Sequence, residues 1–446
     1  MQKIITHRKQ LVEYFLNSST PEQMSKIGGE FEKLGVFKHS KEAISYTGKK
    51  GVAAVLSGLS QRYGWEPIRE EGSIIGLFRG TKNITLEPGG QIELSGSPLD
   101  NVHQVKKEVE EHLREIKSIS EPLGIKWLGL GMQPVSKLKD IQWVPKNRYR
   151  IMVPYMEKHG KLSHYMMKKT ASIQVNLDYL DEEDFSTKMG TALKLVPIIT
   201  AIFANSPVSE GKLNGFLSKR ACIWNYTDPA RCHLINKRFF LKPRFSSYVD
   251  YALDVPMFFI LRDEGWIEVK NTTFSKYLKE GYQGYRATLD DWELHLSTIF
   301  TEVRVRSYIE IRNADCQRME LLPAIPALWK GILYSKNSLA EVLSLLKGVS
   351  WENICELYRV VPHQGLRTKI EKVRLLDLAK EILKIARAGL KEQEKLNDKG
   401  EDESIYLAQL MQLLIEDELC PAEVIIKNWK GSWHASIDKL IEYSSY

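Results

Sequence analysis

The chain predicts an α+β protein, and three observations predict it. Short stretches over 1–320 alternate polar and apolar residues with the period of a strand. Stretches over 321–446 space their apolar residues as amphipathic helices do. No internal repeat and no low-complexity run interrupts the 446 residues, which are enough to bury a large core. One domain over 1–446 is expected, strand-rich over 1–320, with a helix-rich C-terminal layer over 321–446.

Taken in order, Ile4–Asn17 has the spacing of an amphipathic helix, ended by Ser18–Glu22 with Pro21 inside it. Lys26–Phe37 reads as a strand with Glu30 and Glu32 on one face and Phe31 on the other. Carboxylates two residues apart on a strand lie about 6.5–7 Å apart. They repel unless something positive sits between or beside them. Lys41–Tyr63 is expected to be helical, Ile68–Arg79 and Asn83–Ser95 strands, and Asn101–Ile119 a helix with a solvated, charged face. Ile125–Met132 is apolar enough for a buried strand, and Asp140–Tyr155, with Pro145 and Pro154, reads as a loop.

Ser172–Tyr179 alternates most cleanly: Ile173, Val175 and Leu177 point one way, Gln174, Asn176 and Asp178 the other. Such an amide face can hydrogen-bond a ligand or be the wet side of an antiparallel sheet. Leu195–Asn205 is an apolar helix or the end of one, and a loop-rich stretch leads from it to Arg220 and Trp224. An Arg four residues before a Trp can clamp a carboxylate with a planar fork and an aromatic wall, or simply lie along packed aromatics. Tyr248–Leu261 runs from a helical turn into a strand, and Thr288–Phe300 is a helix with Asp290 and Asp291 near its start. Val303–Asp315 reads as one strand, with Tyr308, Glu310 and Arg312 opposite Ile309 and Ile311. Beyond it lie helices at Leu339–Lys347, Trp351–Val360, Lys369–Leu390 and Tyr406–Glu416, with a solvated loop at Lys391–Glu403.

The stretch Thr85–Ser95, T-L-E-P-G-G-Q-I-E-L-S, carries Glu87 and Glu93. Kept extended, it would align Glu87, Gln91, Glu93 and Ser95 on one face, but Pro88-Gly89-Gly90 puts a turn or bulge between the acids. Four strands thus pair polar with apolar faces, through Glu30/Glu32, Glu87/Glu93, Gln174/Asn176 and Glu310/Arg312. They imply one antiparallel sheet with an apolar back and an acidic front. Five glutamates can hold two or more Mg²⁺ ions, because hard cations take oxygen ligands and bridge carboxylates to nucleotide phosphates. Arg220 and Arg312 would balance phosphate or carboxylate charge. That is equipment for phosphoryl transfer, where catalysis is positioning and charge neutralisation. Solvated edge strands and cross-strand salt bridges are the competing readings.

Other classes are poorly served. The net charge of +7 is spread along the chain, and neither a nucleic-acid-binding module nor a basic stripe is present. The chain has no G-x-x-x-x-G-K-[ST], no kinase motif set and no G-x-S-x-G. No apolar run is long enough to span a membrane. The five cysteines are odd in number and lack a C-x-x-C, so a reducing, cytoplasmic location is expected.

Several motifs stand in order along the chain: Glu30-Phe31-Glu32-Lys33, L-E-P-G-G-Q-I-E-L-S-G (Leu86–Gly96), M-M-K-K-T-A-S-I-Q-V-N-L-D-Y (Met166–Tyr179), F-A-N-S-P (Phe203–Pro207), N-G-F-L-S-K-R (Asn214–Arg220), Y-A-L-D-V-P-M (Tyr251–Met257) and Y-I-E-I-R-N-A-D (Tyr308–Asp315). On these the chain resembles the plant-type glutamate–cysteine ligases, also found in bacteria, over nearly its whole length. The resemblance implies a glutamine-synthetase-like carboxylate–amine ligase fold, a curved antiparallel sheet forming a bowl. It implies ATP-dependent joining of the glutamate γ-carboxyl to the cysteine amine through an acyl phosphate. Glutamate, cysteine and ATP are then the partners, with no nucleic acid or membrane, in a monomer or homodimer. On the matching positions Glu30, Glu32, Glu87, Glu93 and Glu310 are implied Mg²⁺ ligands. Arg220 with Trp224, and Arg312, are the implied substrate and phosphate groups, with the two arginines catalytic. Gln174 and Asn176 are implied floor residues near substrate or nucleotide. The family usually shows R-S-x-I-W-x-D-T-D-P-x-R-T-G after the first arginine, where this chain has R-A-C-I-W-N-Y-T-D-P-A-R-C-H from Arg220. Ala221, Tyr226, Cys232 and His233 depart from the pattern, which leaves open a different amine acceptor; a catalytically silent regulatory protein on the same fold is the further alternative, opposed by the intact acids and Arg312.

Overall fold

The alternation at Ile27–Phe37 builds the central strand, β1, of a nine-stranded sheet in the computed structural model, which describes residues 3–446. The other strands are β2 (Glu66–Glu70), β3 (Ser73–Arg79), β4 (Lys82–Leu86), β5 (Ile92–Ser95), β6 (Ile125–Leu128), β7 (Ser172–Leu177), β8 (Val303–Val305) and β9 (Ile309–Asp315). The order is β8-β9-β7-β1-β5-β4-β3-β2, all neighbours antiparallel, and β6 pairs with the far half of β1. Phe31, Leu94, Ile173, Val175, Ile309 and Ile311 fill the apolar face of this sheet and are buried.

Two helices, α1 (Lys9–Leu16) and α2 (Val52–Tyr63), precede the long α3 (Val102–Ser120), whose cap is the Asn101 side chain accepting from the Gln104 N–H. Helices α2 and α3 pack on β3, β1 and β6. Next come α4 (Asn147–His159), α5 (Ser163–Lys169), α6 (Glu182–Ile202) and the short α7 (Lys219–Trp224). Helix α6 lies against β9, and the C-terminal helix Ala324–Leu333 against β1 and β7, with Leu375–Glu392 packed behind it. The C-terminal layer is tied to the sheet layer by a buried ion pair between Lys330 and Glu403, whose carboxylate also accepts from the Val102 N–H at the start of α3.

Four expectations need correction. Residues 41–51 are not helical, and α2 begins only at Val52, after Gly51. The stretches expected as two strands at Ile68–Arg79 and Asn83–Ser95 hold parts of four, because turns at Glu71-Gly72 and Pro88–Gly90 fold them back. Asp140–Tyr155 is a loop only as far as Lys146, since α4 begins at Asn147 and runs through Pro154. Tyr149, Met152 and Met156 bury one face, while Pro154 and the Arg150 position it would have bonded are exposed to water. Val303–Asp315 is a hairpin, closed by the Arg306 N–H donating to the Tyr308 carbonyl at 2.9 Å. Lys391–Glu403 is mostly exposed as expected, except at its buried end, Glu403.

Candidate active site

Strand register assembles the site on the polar face. Glu32 sits directly opposite Glu93, Glu30 opposite Ser95, and on the other side Glu30 faces Gln174. Like charges placed opposite each other on a sheet destabilise it, so the pairing serves something other than the fold. Glu32 accepts from the Ser172 N–H at 2.8 Å, the Ser172 hydroxyl at 2.7 Å and the Gln174 amide at 3.1 Å. Glu93 accepts from the Thr85 and Ser95 hydroxyls at 2.8 and 3.0 Å.

The L-E-P-G-G-Q run is a tight turn that brings Glu87 beside Glu93. The Glu87 N–H donates to the Gln91 carbonyl and the Gly90 N–H to the Glu87 carbonyl, both at 2.9 Å. Gly90 has φ +86°, and a Cβ on Gly89 would stand 2.4 Å from the Lys168 carbonyl oxygen, so both positions require glycine. Gln91 is buried and donates to the Thr170 carbonyl at 2.8 Å, which fastens the turn to the end of α5.

The β8–β9 hairpin supplies the cations. It sets Arg304 opposite Glu310, and a bulge between Ile311 and Ala314 frees Arg312 from the ladder. The Arg312 N–H donates to the Glu302 carbonyl at 2.9 Å, while its guanidinium bonds both Glu310 and Gln174. Arg304 reaches the same Glu310 oxygen, Oε1, at 2.8 Å and donates to the Ser297 and Ile299 carbonyls at 2.9 and 2.8 Å.

Arg220 lies in the first turn of α7, not in a loop. Its guanidinium donates to the Arg312 carbonyl at 2.7 Å and stands 5.8 Å from the centre of the Trp224 ring. The motifs F-A-N-S-P and N-G-F-L-S-K-R meet here at one buried carboxylate. Asp315 accepts from the Asn205 N–H at 2.8 Å and from the Ser206 and Ser218 hydroxyls at 2.7 and 2.9 Å. Ser218 caps α7 by accepting from the Ala221 N–H, and Ser206 accepts from the Arg220 N–H, both at 3.1 Å.

Glu30, Glu32, Glu87, Glu93, Gln174, Arg220, Trp224 and Arg312 therefore line one cavity of about 250 Å³. Asn176 and Glu310 do not. Asn176 donates to Glu30 at 3.2 Å and so stands behind it rather than on the floor. Glu310 is wholly buried under the two arginines, with Oε2 left without a partner. Sequence reasoning missed Arg304 and Arg306, whose R-x-R spacing was the available signal, and Arg148 with Tyr149 on α4, hidden by the loop reading. It also missed the methionine wall of Met152, Met156, Met166 and Met167, for which an apolar helix face gives no signal beyond core packing.

Burial, then repulsion from Glu310 and Glu93, raises Glu30 to about 8. Burial, then Glu87 and Glu93, raises Glu32 to about 8, and burial with Glu93 raises Glu87. Burial works against the charge on Glu310 too, but Arg304, Arg312 and Arg306 outweigh it and hold the group at about 2. The crowding of oxygen donors at Glu30, Glu32, Glu87 and Glu93 fits a hard divalent cation. Among the described residues no three acidic, histidine or cysteine side chains already form a closed cation site.

A nine-stranded antiparallel sheet that gathers four carboxylates and five arginines around one cavity suits a ligand that carries both cations and anionic groups. The chain belongs to the glutamate–cysteine ligase family, because the description "Glutamate-cysteine ligase family 2" matches residues 26–442. It is 40% identical over 442 residues to the chloroplastic glutamate–cysteine ligase A of Oryza sativa subsp. indica, covering 98% of this chain and 88% of that one. It is 39% identical to the chloroplastic enzyme of Solanum lycopersicum, covering 98% and 83%. The fold is similar to that of glutamate–cysteine ligase from Francisella tularensis in complex with AMP, with TM-score 0.55, 13% identity, and 94% and 86% of the two chains covered. It is also similar to a bifunctional glutathione synthetase from Pasteurella multocida, with TM-score 0.51, 14% identity, and 99% and 52% covered. These relatives' chloroplastic names overturn the cytoplasmic location expected from the cysteines. All five cysteines are free, which does not name a compartment. Among the described residues no helix is long and apolar enough to cross a membrane.

Proposed function

We infer that the chain uses ATP to join the γ-carboxyl of glutamate to the amine of cysteine, with residues 1–446 working as one catalytic domain. A γ-carboxylate oxygen attacks the terminal phosphorus of ATP and ADP leaves. The cysteine amine then attacks the acyl carbon of γ-glutamyl phosphate, loses a proton, and phosphate departs. The observation that carries this reading is a single cavity in which Glu30, Glu32, Glu87 and Glu93 face Arg148, Arg220, Arg304, Arg306 and Arg312, on a ligase-family chain.

Glu30, Glu32, Glu87 and Glu93 would hold two or more Mg²⁺ ions, which neutralise phosphate charge when bound, whereas Glu310 is spent on Arg304 and Arg312. Arg220 and Arg312 orient carboxylate and phosphoryl oxygens through their planar forks. Glu310 and Arg304 keep Arg312 aimed into the cavity. Gln174 lends its amide to the wall, and Asn176 acts through Glu30. The methionines and Trp224 exclude water, which strengthens every charge interaction inside.

A second reading changes only the amine acceptor. Cys232, one of the departures from the family pattern, pairs with Phe300, and Phe300 lines the cavity. ADP release with Mg-ATP and glutamate, across cysteine and a panel of amines, separates the two. Stimulation by cysteine, with γ-glutamylcysteine seen by mass spectrometry, supports the first reading. Stimulation by another amine supports the second, and no ADP release from folded protein removes both. In either case Glu87→Gln should cut turnover by orders of magnitude at unchanged melting temperature, and a near-normal rate would take Glu87 out of the site.

A further inference from the structure

A second hollow, of about 460 Å³, lies on the opposite face of α5 from the active-site cavity. At about 100° per residue, Met166, Met167 and Thr170 point to one side of this helix and His164, Tyr165 and Lys168 to the other. The first set lines the active-site cavity and the second lines the hollow, together with Lys137, Lys139, Trp143 and Glu210.

Lys168 is the unusual member. It is only 7% exposed, and its ammonium stands 4.6 Å from the centre of the Trp143 ring. Its neighbour Lys169 pairs with Glu210 at 3.4 Å, which occupies the hollow's one carboxylate. Among the described residues Lys168 has neither an ion pair nor a hydrogen bond from its ammonium. Burial works against this charge, and the indole face and the Asp140 carboxylate offset only part of the cost. Lys137 and Lys139 add two more positive charges at the rim.

We propose that this hollow binds a small multivalent anion, a phosphate ester or a polycarboxylate, whose charge is met by Lys168 and by the two rim lysines. The site does not depend on the ligase reading. Its position gives it a bearing on the enzyme, since the Lys168 backbone is what Gly89 packs against and Gln91 is bonded to the end of the same helix.

The test is lysine acetylation of the full chain without nucleotide, read residue by residue by peptide mass spectrometry. Inorganic phosphate and malonate are the probes, at matched ionic strength. At ten times its dissociation constant a bound probe should slow Lys168 acetylation about tenfold, while the exposed Lys9 on α1 is unaffected. Protection by phosphate alone assigns the phosphate-ester class, and by malonate alone the polycarboxylate class. Equal rates with and without both probes, or parallel slowing of Lys9, overturn the proposal. Lys168→Met, which keeps the stem on Trp143, should abolish protection of Lys137 and Lys139, and protection that persists would also overturn it.

Discussion

Loading the free chain with Mg²⁺ should release protons at neutral pH. Glu30 and Glu32 are both raised to about 8 by burial and by their acidic neighbours. At pH 7 each is then about nine-tenths protonated before any cation arrives. A hard cation takes only the carboxylate, so binding expels those protons: about two at pH 7, about one at pH 8, and close to none at pH 9. The same groups have a stability consequence. Glutamates in the unfolded chain titrate near 4.5, so between there and 8 the folded chain holds more protons than the unfolded one. Stability of the cation-free protein therefore falls as pH rises through that window, by about 1.4 kcal/mol per pH unit for each raised carboxyl. Glu310, held at about 2, works the other way. Its contribution is present above the ordinary glutamate value and is lost as pH falls toward 2. The assay is calorimetric titration of MgCl₂ in buffers of different ionisation enthalpy, with melting curves from pH 5 to 9. The Glu30→Gln/Glu32→Gln protein should release about two fewer protons at pH 7 and lose that share of the pH slope, with only the raised Glu87 left to contribute. Proton release near zero from the wild-type chain at pH 7, or equal slopes for the two proteins, would refute the reasoning.

Lys330→Met should destabilise the fold by about 3–5 kcal/mol, because it strands Glu403 in the core. Adding Glu403→Leu should recover most of that loss in denaturant melts. Asp315→Asn removes the charge that organises Ser206 and Ser218. Arg220 should drift and kcat/KM fall about a hundredfold, with KM for an amino-acid substrate moving more than KM for ATP. Gly89→Ala places a methyl 2.4 Å from the Lys168 carbonyl oxygen, so the turn carrying Glu87 must shift. Turnover should drop at least about tenfold while the circular dichroism spectrum is unchanged.

The sequence by itself determined the strand alternations, and with them the two faces of the sheet. Glu30/Glu32, Gln174 and Glu93 were legible because a period of two assigns a side to every residue of a strand. The order of motifs was enough to carry the family resemblance. What it did not determine was where strands reverse. V-R-V-R-S-Y-I-E-I-R reads as one strand, yet the turn at Arg306–Tyr308 lays Arg304 across from Glu310 and makes it part of the site. Helix α4 was lost to Pro154, because only packing of Tyr149, Met152 and Met156 outweighs the missing hydrogen bond. The roles of Asp315, Asn176 and Glu310 are likewise tertiary. Asp315 and Asn176 depend on partners at least two elements away in the chain, and Glu310 on Arg304 across a turn that the alternation hides, and local periodicity carries no record of which groups a buried charge will meet.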